Sequence, residues 1–248
     1  MKKTKHFGLI GFPLEHSFSK RFFSLKFEKE GIDADYNLYE LGNIAEFIEI
    51  ITDIKFSGLN VTIPHKEKII PFLDELDDTA EIIGAVNVIK FIHKGKKTIL
   101  CGYNSDSTGF ENSLKPYLKP YHKKALILGT GGVSKAIDYV LQKLGIEVTF
   151  VSRSAGPGKI TYADLDEKVM SNNLIIINAS PVGTFPHCDE CPDIPYQYLT
   201  DKHFLFDCVY NPPETLFLKK GREKGAVGIN GQAMLDGQAV AAWEIWNS

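Results

Sequence analysis

Short apolar runs alternate along the chain with stretches whose apolar positions recur at three- and four-residue steps. The first kind reads as buried strand and the second as amphipathic helix. Strands are predicted at 6–13, 36–41 and from Phe56 to the stop at Pro64, then at 86–92, 98–103, 125–128, 147–151, 174–177 and 204–209, with a short one near Val227. Between them fall helices. One carries Phe18, Phe22, Leu25 and Phe27, with Ser17 as N-cap and Gly31 as its stop. Others are predicted over 44–51, 74–83, from Asn104 to about Tyr117, 133–144, 162–170 and 216–224. A last helix over 232–246 lines up Met234, Leu235, Ala239, Ala242 and Trp243. Residues 93–96 make a hairpin turn between two of the strands. Strand and helix in alternation predict an α/β protein with parallel or mixed sheets.

One strand-turn-helix unit stands out. Ala125-Leu126-Ile127-Leu128 has the unbroken apolar character of a parallel strand buried on both faces. It runs into Gly129-Thr130-Gly131-Gly132 and then a helix carrying Val133, Ala136, Ile137, Val140, Leu141 and Leu144. Glycines let the chain turn sharply and let a phosphate reach the backbone, while the helix N-terminus offers amide donors. Gly129, Gly131, Gly132 and Val133 are therefore candidate cofactor contacts of a Rossmann-type dinucleotide-binding fold. The following strand ends in Ser152-Arg153-Ser154, where an NAD enzyme would usually carry an acidic residue for the ribose hydroxyl. A permanently charged, planar arginine between two hydroxyls suits a 2′-phosphate, so NADP is favoured.

Composition changes this picture little. A net charge of −3 over 248 residues gives no bulk attraction to nucleic acid or membrane. Met1-Lys2-Lys3-Thr4-Lys5 has the basic start of a signal peptide, but Gly8, Gly11, Pro13 and Glu15 break the apolar run behind it. A cytoplasmic protein is expected. Cys101 and Cys208 lie in apolar strand patterns and read as inert core. Cys188 and Cys191 form a CxxC beside His187 in a proline-rich loop; zinc would need two more ligands, with only His203 as a loose candidate, so a reduced surface loop is expected.

Polar residues crowd the carboxyl ends of several strands, the edge where open α/β sheets bind ligands. These stretches are residues 11–19 (GFPLEHSFS), 58–66 (GLNVTIPHK), 84–87 (GAVN), 102–106 (GYNSD), 207–212 (DCVYNP) and 231–238 (GQAMLDGQ). In this order and over nearly the whole chain they resemble the shikimate dehydrogenase family. The chain departs from the family at Lys20, where proline is common, at Val88 and Ser105, where threonine is, and at Thr184, which replaces a methionine beside the nicotinamide. Its adenine-side motif has only Lys159 as a second basic residue.

The resemblance implies NADP-dependent, reversible reduction of 3-dehydroshikimate to shikimate, a small-molecule reaction of aromatic amino acid biosynthesis. It implies an N-terminal substrate domain (1–103 and 232–248, the C-terminal helix returning to it), a Rossmann NADP-binding domain (104–231) and an active site in the cleft between them. The protein would be a monomer or homodimer. Lys66 would be the proton donor, paired with Asp106. Ser17 and Ser19 would bind the substrate carboxylate, with Tyr210 closing that end; Thr62, Asn87, Asp106 and Gln238 would hold the ring hydroxyls. Gly231 would join the cofactor contacts. Chemically, an ammonium beside a carboxylate keeps its charge away from water and polarises a carbonyl. Quinate, with one more hydroxyl, is an alternative substrate. A silent NADP-binding regulatory module would need neither Lys66 nor Asp106.

Overall fold

The computed structural model describes residues 4–15 and 17–248. Met1, Lys2, Lys3 and His16 lie outside the described residues, and with them the basic start of the chain and one position of the first motif. The chain divides into two compact units, residues 1–105 with 238–248 and residues 106–237.

The first unit is built on β1 (Lys5–Gly11), α1 (Phe18–Glu30), β2 (Ala34–Glu40), α2 (Phe47–Asp53), β3 (Phe56–Val61), β4 (Glu75–Leu76), α3 (Asp78–Ile83), β5 (Val88–Lys94) and β6 (Lys97–Tyr103). The sheet order is β2-β1-β3-β5-β6-β4. β1 runs parallel to β2 and β3, whereas β5 is antiparallel to both β3 and β6. Alternation along β1 sends Phe7 and Leu9 into one apolar cluster and Ile10 into the other. The first cluster packs Phe23 and Phe27 of α1 with Trp246, and the second gathers Phe47, Phe56, Leu59 and Ile89. Each such side chain contributes about 2 kcal/mol on burial.

α1 ends as its sequence requires, at Gly31 with φ 63°. The helix expected over 74–83 does not begin until Asp78. Asp77 caps it, accepting the Ala80 amide at 2.9 Å, and a cap residue needs extended backbone before the helix. Asp74 accepts the Leu100 amide at 2.8 Å, so the preceding residues pair with β6 as the short β4. The 44–51 helix likewise splits into a 3₁₀ turn at Ile44–Glu46, boxed by Asn43 and Glu46, and α2.

The second unit holds α4 (Ser105–Leu114, its first residue counted with the first unit), β7 (Lys124–Leu128), α5 (Gly132–Lys143), β8 (Glu147–Ser152), β9 (Lys159–Thr161), α6 (Glu167–Asn172), β10 (Ile175–Asn178), β11 (Phe204–Asp207), α7 (Leu216–Glu223) and β12 (Val227–Ile229). Its sheet is parallel throughout, in the order β12-β11-β10-β7-β8-β9. This is the doubly wound arrangement expected from the glycine unit, with Leu126, Ile127, Ile176 and Ile177 fully buried. α8 (Gln232–Asn247) starts in this unit, and its residues from Gln238 on belong to the first.

The helix expected over 162–170 is two elements. Asp164 accepts the Thr161 amide at 2.7 Å and closes a 3₁₀ turn; Asp166 then accepts the Val169 amide at 2.7 Å and starts α6. Two acidic caps so close together restart the chain. β9 has no counterpart in the sequence reading. Its three residues lie on the sheet edge and carry too short a pattern to register.

His203 is not a metal ligand. Its Nδ1 accepts the Thr200 amide at 3.0 Å and its Nε2 donates to the Met170 carbonyl at 3.1 Å. Among the described residues no group of three metal-ligating side chains occurs, and no helix is long and apolar enough to cross a membrane.

Candidate active site

In the first unit the mixed sheet brings distant residues to one edge. β1 and β3 end there, β5 begins there and β6 ends there. Asn60 pairs with Val88 and Val88 with Tyr103, so Thr62, Asn87, Asn104 and Ser105 all follow or precede a strand at that edge. Backbone bonds extend the ladder past the strands: Val61 N–H donates to the Asn87 carbonyl and Asn87 N–H to the Tyr103 carbonyl, at 2.9 and 3.0 Å.

Lys66 sits on the turn after β3. Its carbonyl accepts the Val86 amide at 2.8 Å, and its neighbour His65, 1% exposed, bonds the Leu41 carbonyl through Nε2 at 2.7 Å. The backbone under the half-buried lysine is thus tied on two sides. Thr62 is packed against Gly11, where a Cβ would lie 2.3 Å from the Thr62 methyl. That close approach is why the first motif needs its glycine.

Asn87 is the hub, 3% exposed. Its Oδ1 accepts the Ser105 amide at 2.7 Å, and its Nδ2 donates to Ser105 Oγ at 3.1 Å and to Gln238 Oε1 at 3.3 Å. Asn60 Nδ2 donates to the Asn87 carbonyl at 3.2 Å, and Tyr36 Oη donates to Asn60 Oδ1 at 2.8 Å. The structure brings Asn87 and Gln238 together and adds Ser105, Asn60 and Tyr36. Asn60 and Ser105 stood inside the quoted motifs as polar residues next to strand ends. Tyr36 gave no signal beyond an aromatic in a strand.

Ser17 occupies the N-cap position of α1, but its side chain makes no capping bond. Its Oγ is buried with no hydrogen-bond partner among the described residues. The sequence expectation of a capping hydroxyl is corrected here: the Ser17 side chain does not satisfy the first amides of α1. Ser19 lies beside the Tyr36 hydroxyl, which burial pushes far up while Ser19 opposes the shift. Gln238 is half-buried on α8.

In the second unit Asp106 opens α4 and is 2% exposed. β7 lies between β10 and β8, so the chain order reverses beside it, the position at which such sheets bind ligands. Gly129 follows β7 with φ 114°, and a Cβ there would lie 3.1 Å from the Ala179 carbonyl of the loop after β10. Gly131 is the N-cap of α5, with no side-chain cap and open space where a Cβ would point. The first-turn amides of Gly132 and Val133 therefore face a cradle that suits a phosphate, which is the fit a dinucleotide requires.

Arg153 and Ser154 are exposed at the end of β8. Ser152 Oγ donates to the Ser154 carbonyl, which ties the two serines of the motif together. Gly231 is explained by packing: a Cβ there would meet the Cys208 carbonyl at 2.3 Å. Tyr210 is half-exposed on the loop after β11.

Sequence reasoning missed the buried centre of this unit. Asp207, fully buried, accepts from Thr215 Oγ1 at 2.5 Å, Asn178 Nδ2 at 2.9 Å and the Val209 amide at 3.0 Å. Asn178 Oδ1 in turn accepts from Ser180 Oγ at 2.6 Å. Together they pin the loops after β10 and β11. Burial pushes the Asp207 carboxyl up to about 6, against the pull of its three donors. Cys188 and Cys191 are outside any disulfide, and Lys220 Nζ donates to Cys191 Sγ at 3.2 Å.

Residues 9–89 match the family model described as the shikimate dehydrogenase substrate binding domain. The chain is 34% identical to the shikimate dehydrogenase (NADP(+)) of Desulforamulus reducens, over 98% of its own length and 90% of the relative's. Among solved structures, a shikimate dehydrogenase in complex with NADP+ superposes with a TM-score of 0.85 at 32% identity, covering 98% of this chain and 90% of that one. The Listeria monocytogenes enzyme in complex with shikimate and NAD gives 0.86 at 29%, covering 98% and 92%.

Proposed function

The chain belongs to the shikimate dehydrogenase family, and we propose that it reduces 3-dehydroshikimate reversibly to shikimate with NADP. The observation that carries this reading is the edge of the first sheet, where Asn87, Ser105 and Gln238 interlock within reach of the strand end that leads into Thr62 and Lys66. Such a set of fixed donors and acceptors suits a small ring bearing several hydroxyls, and it discriminates against rings that lack them.

NADPH, when bound, supplies a hydride to the ketone carbon. Charge then develops on the ketone oxygen. The Lys66 ammonium donates the proton that quenches it, and in the reverse direction the neutral amine takes it back. The tied backbone on either side of Lys66 limits where that nitrogen can travel. Asp106 is assigned to hold the ammonium form and a ring hydroxyl. Ser17, with its orphaned hydroxyl, and Ser19 take the carboxylate, closed by Tyr210. Gly129, Gly131, Gly132 and Val133 receive the pyrophosphate at the α5 N-terminus. Arg153, with Ser154, meets the 2′-phosphate as a charged, planar donor.

The test crosses two cofactors with two acids: NADP and NAD against shikimate and quinate, followed by NADPH or NADH absorbance. The expected outcome is highest kcat/KM with NADP and shikimate. Higher efficiency on quinate would move the substrate assignment, and no turnover by folded protein would remove the enzymatic reading.

A further inference from the structure

The CxxC loop has no part in the proposed reaction, and in the second unit it does not stand alone. Lys220 of α7 donates from Nζ to Cys191 Sγ at 3.2 Å, across 29 residues of chain. The same nitrogen lies 5.0 Å over the ring of Tyr196, whose hydroxyl donates at 2.9 Å to the carbonyl of Pro192, next to Cys191. That ring also meets Phe217 of α7 edge-on at 6.4 Å. Loop and helix therefore hold the ammonium against the sulfur from both sides. Among the described residues Lys220 bonds no carboxylate. Cys188 and Cys191 are both partly exposed, within reach of a small solute. Cys188 lies in the turn that the Glu190 amide closes on the His187 carbonyl at 3.3 Å, and Cys191 follows that turn. Cys101 makes the contrast: it is 4% exposed, and burial, with Glu75 adding to it, pushes its thiol up to about 11.

We propose that Cys191 is a hydroperoxide-reactive thiol, with Lys220 as its proton relay and Cys188 as the thiol that resolves it. Sulfur attacks as the thiolate. The Cys191 sulfur attacks one peroxide oxygen; an S–O bond forms and the O–O bond breaks. Lys220 gives a proton to the departing oxygen, which leaves hydrogen peroxide as water, and regains the proton the thiol gave up. Cys191 is now a sulfenic acid, and the peroxide has been reduced. The Cys188 sulfur then displaces the hydroxyl; an S–S bond forms, the S–O bond breaks and the Cys188 proton departs in a second water. Three residues of chain span at most about 10 Å, and the turn shortens that, so the sulfurs meet by local movement. Two external thiols reverse the bond by exchange and are themselves oxidised to a disulfide. No step draws on the dehydrogenase reading, so the two stand or fall separately.

The experiment treats the reduced full chain with an equimolar amount of hydrogen peroxide at neutral pH, then unfolds it, alkylates the remaining thiols and maps the peptides by mass spectrometry. The expected result is a peptide holding Cys188 and Cys191 that escapes alkylation and is about 2 Da lighter than its dithiol form, with dithiothreitol restoring both thiols. Cys101 and Cys208 should be alkylated in full. Cys188→Ser should stop at the sulfenic acid on Cys191, captured there by dimedone. Lys220→Met should slow the loss of the Cys191 thiol at least about tenfold, the loss expected when a proton relay is removed. Oxidation of Cys101 or Cys208 as fast as Cys191, a peptide that keeps both thiols, a disulfide joining two copies of the chain, or a wild-type rate in Lys220→Met would each overturn the proposal. If Lys220→Met does not fold, the order of reactivity among the four cysteines of the wild-type protein still decides it.

Discussion

Gly58 lies directly beneath the indole of Trp246. A Cβ on Gly58 would fall 2.2 Å from Trp246 Nε1, which donates to the Ile89 carbonyl at 3.0 Å. β3 thus carries a glycine in its middle because the end of α8 rests on the bare backbone there.

Gly58→Ala should therefore displace the indole, break its hydrogen bond and cost about 1–3 kcal/mol. Urea unfolding followed by tryptophan fluorescence measures it. A midpoint equal to wild type would show that Trp246 moves aside freely.

Lys66→Ala should lower kcat by about a hundredfold or more with a small change in substrate KM, the pattern of a lost proton-transfer group. Steady-state kinetics in both directions reads this. A variant with near-normal kcat would take the proton from elsewhere.

Arg153→Ala should raise the KM for NADP about tenfold and leave that for NAD unchanged, since the guanidinium pairs with the 2′-phosphate alone. Equal effects on both cofactors would place Arg153 elsewhere on the dinucleotide.

Asp207 predicts a pH signature. Its carboxyl is pushed up to about 6 in the fold from an ordinary value of 3.8. A raised carboxyl favours the native state in its protonated form. Its contribution is whole below the ordinary value and is lost as pH rises through about 6, a loss of about 3 kcal/mol when complete. Asp207→Asn keeps the acceptor for Asn178 and Val209 and carries no charge. Its stability relative to wild type should thus be greater at pH 7.5 than at pH 4.5, by urea midpoints. The same difference at both values would remove Asp207 as the source.

Regular elements were legible in the sequence because burial imposes a period. The parallel strands of the second unit and α5 announce themselves through Leu126, Ile127, Ile176 and Ile177 and through Val133, Ile137 and Leu141. Edges were not: β4 and β9 are too short to carry a period, and they exist because Asp74, Asp77 and Asp164 spend their carboxylates on neighbouring amides. The glycine turn and the strand-end motifs were legible as chemistry. Tyr36 and Asp207 were not, because a lone tyrosine in a strand and a lone aspartate at the end of one look the same whether they face water or anchor a buried network. Only the sheet order, which sets β2 one strand from β3 and β10 beside β11, tells them apart.

The ribbon of β5 and β6 has one further consequence. Paired from Val88–Tyr103 to Lys94–Lys97, it has both chain ends at the edge that carries Asn87 and Ser105 and its turn at the other. At about 3.3 Å per residue the turn lies some 20 Å from that edge. Gly95, with φ 63° and nothing near where a Cβ would be, is therefore a graft point: a peptide tag or fluorophore-bearing insert placed there extends the protein on the side remote from the polar network.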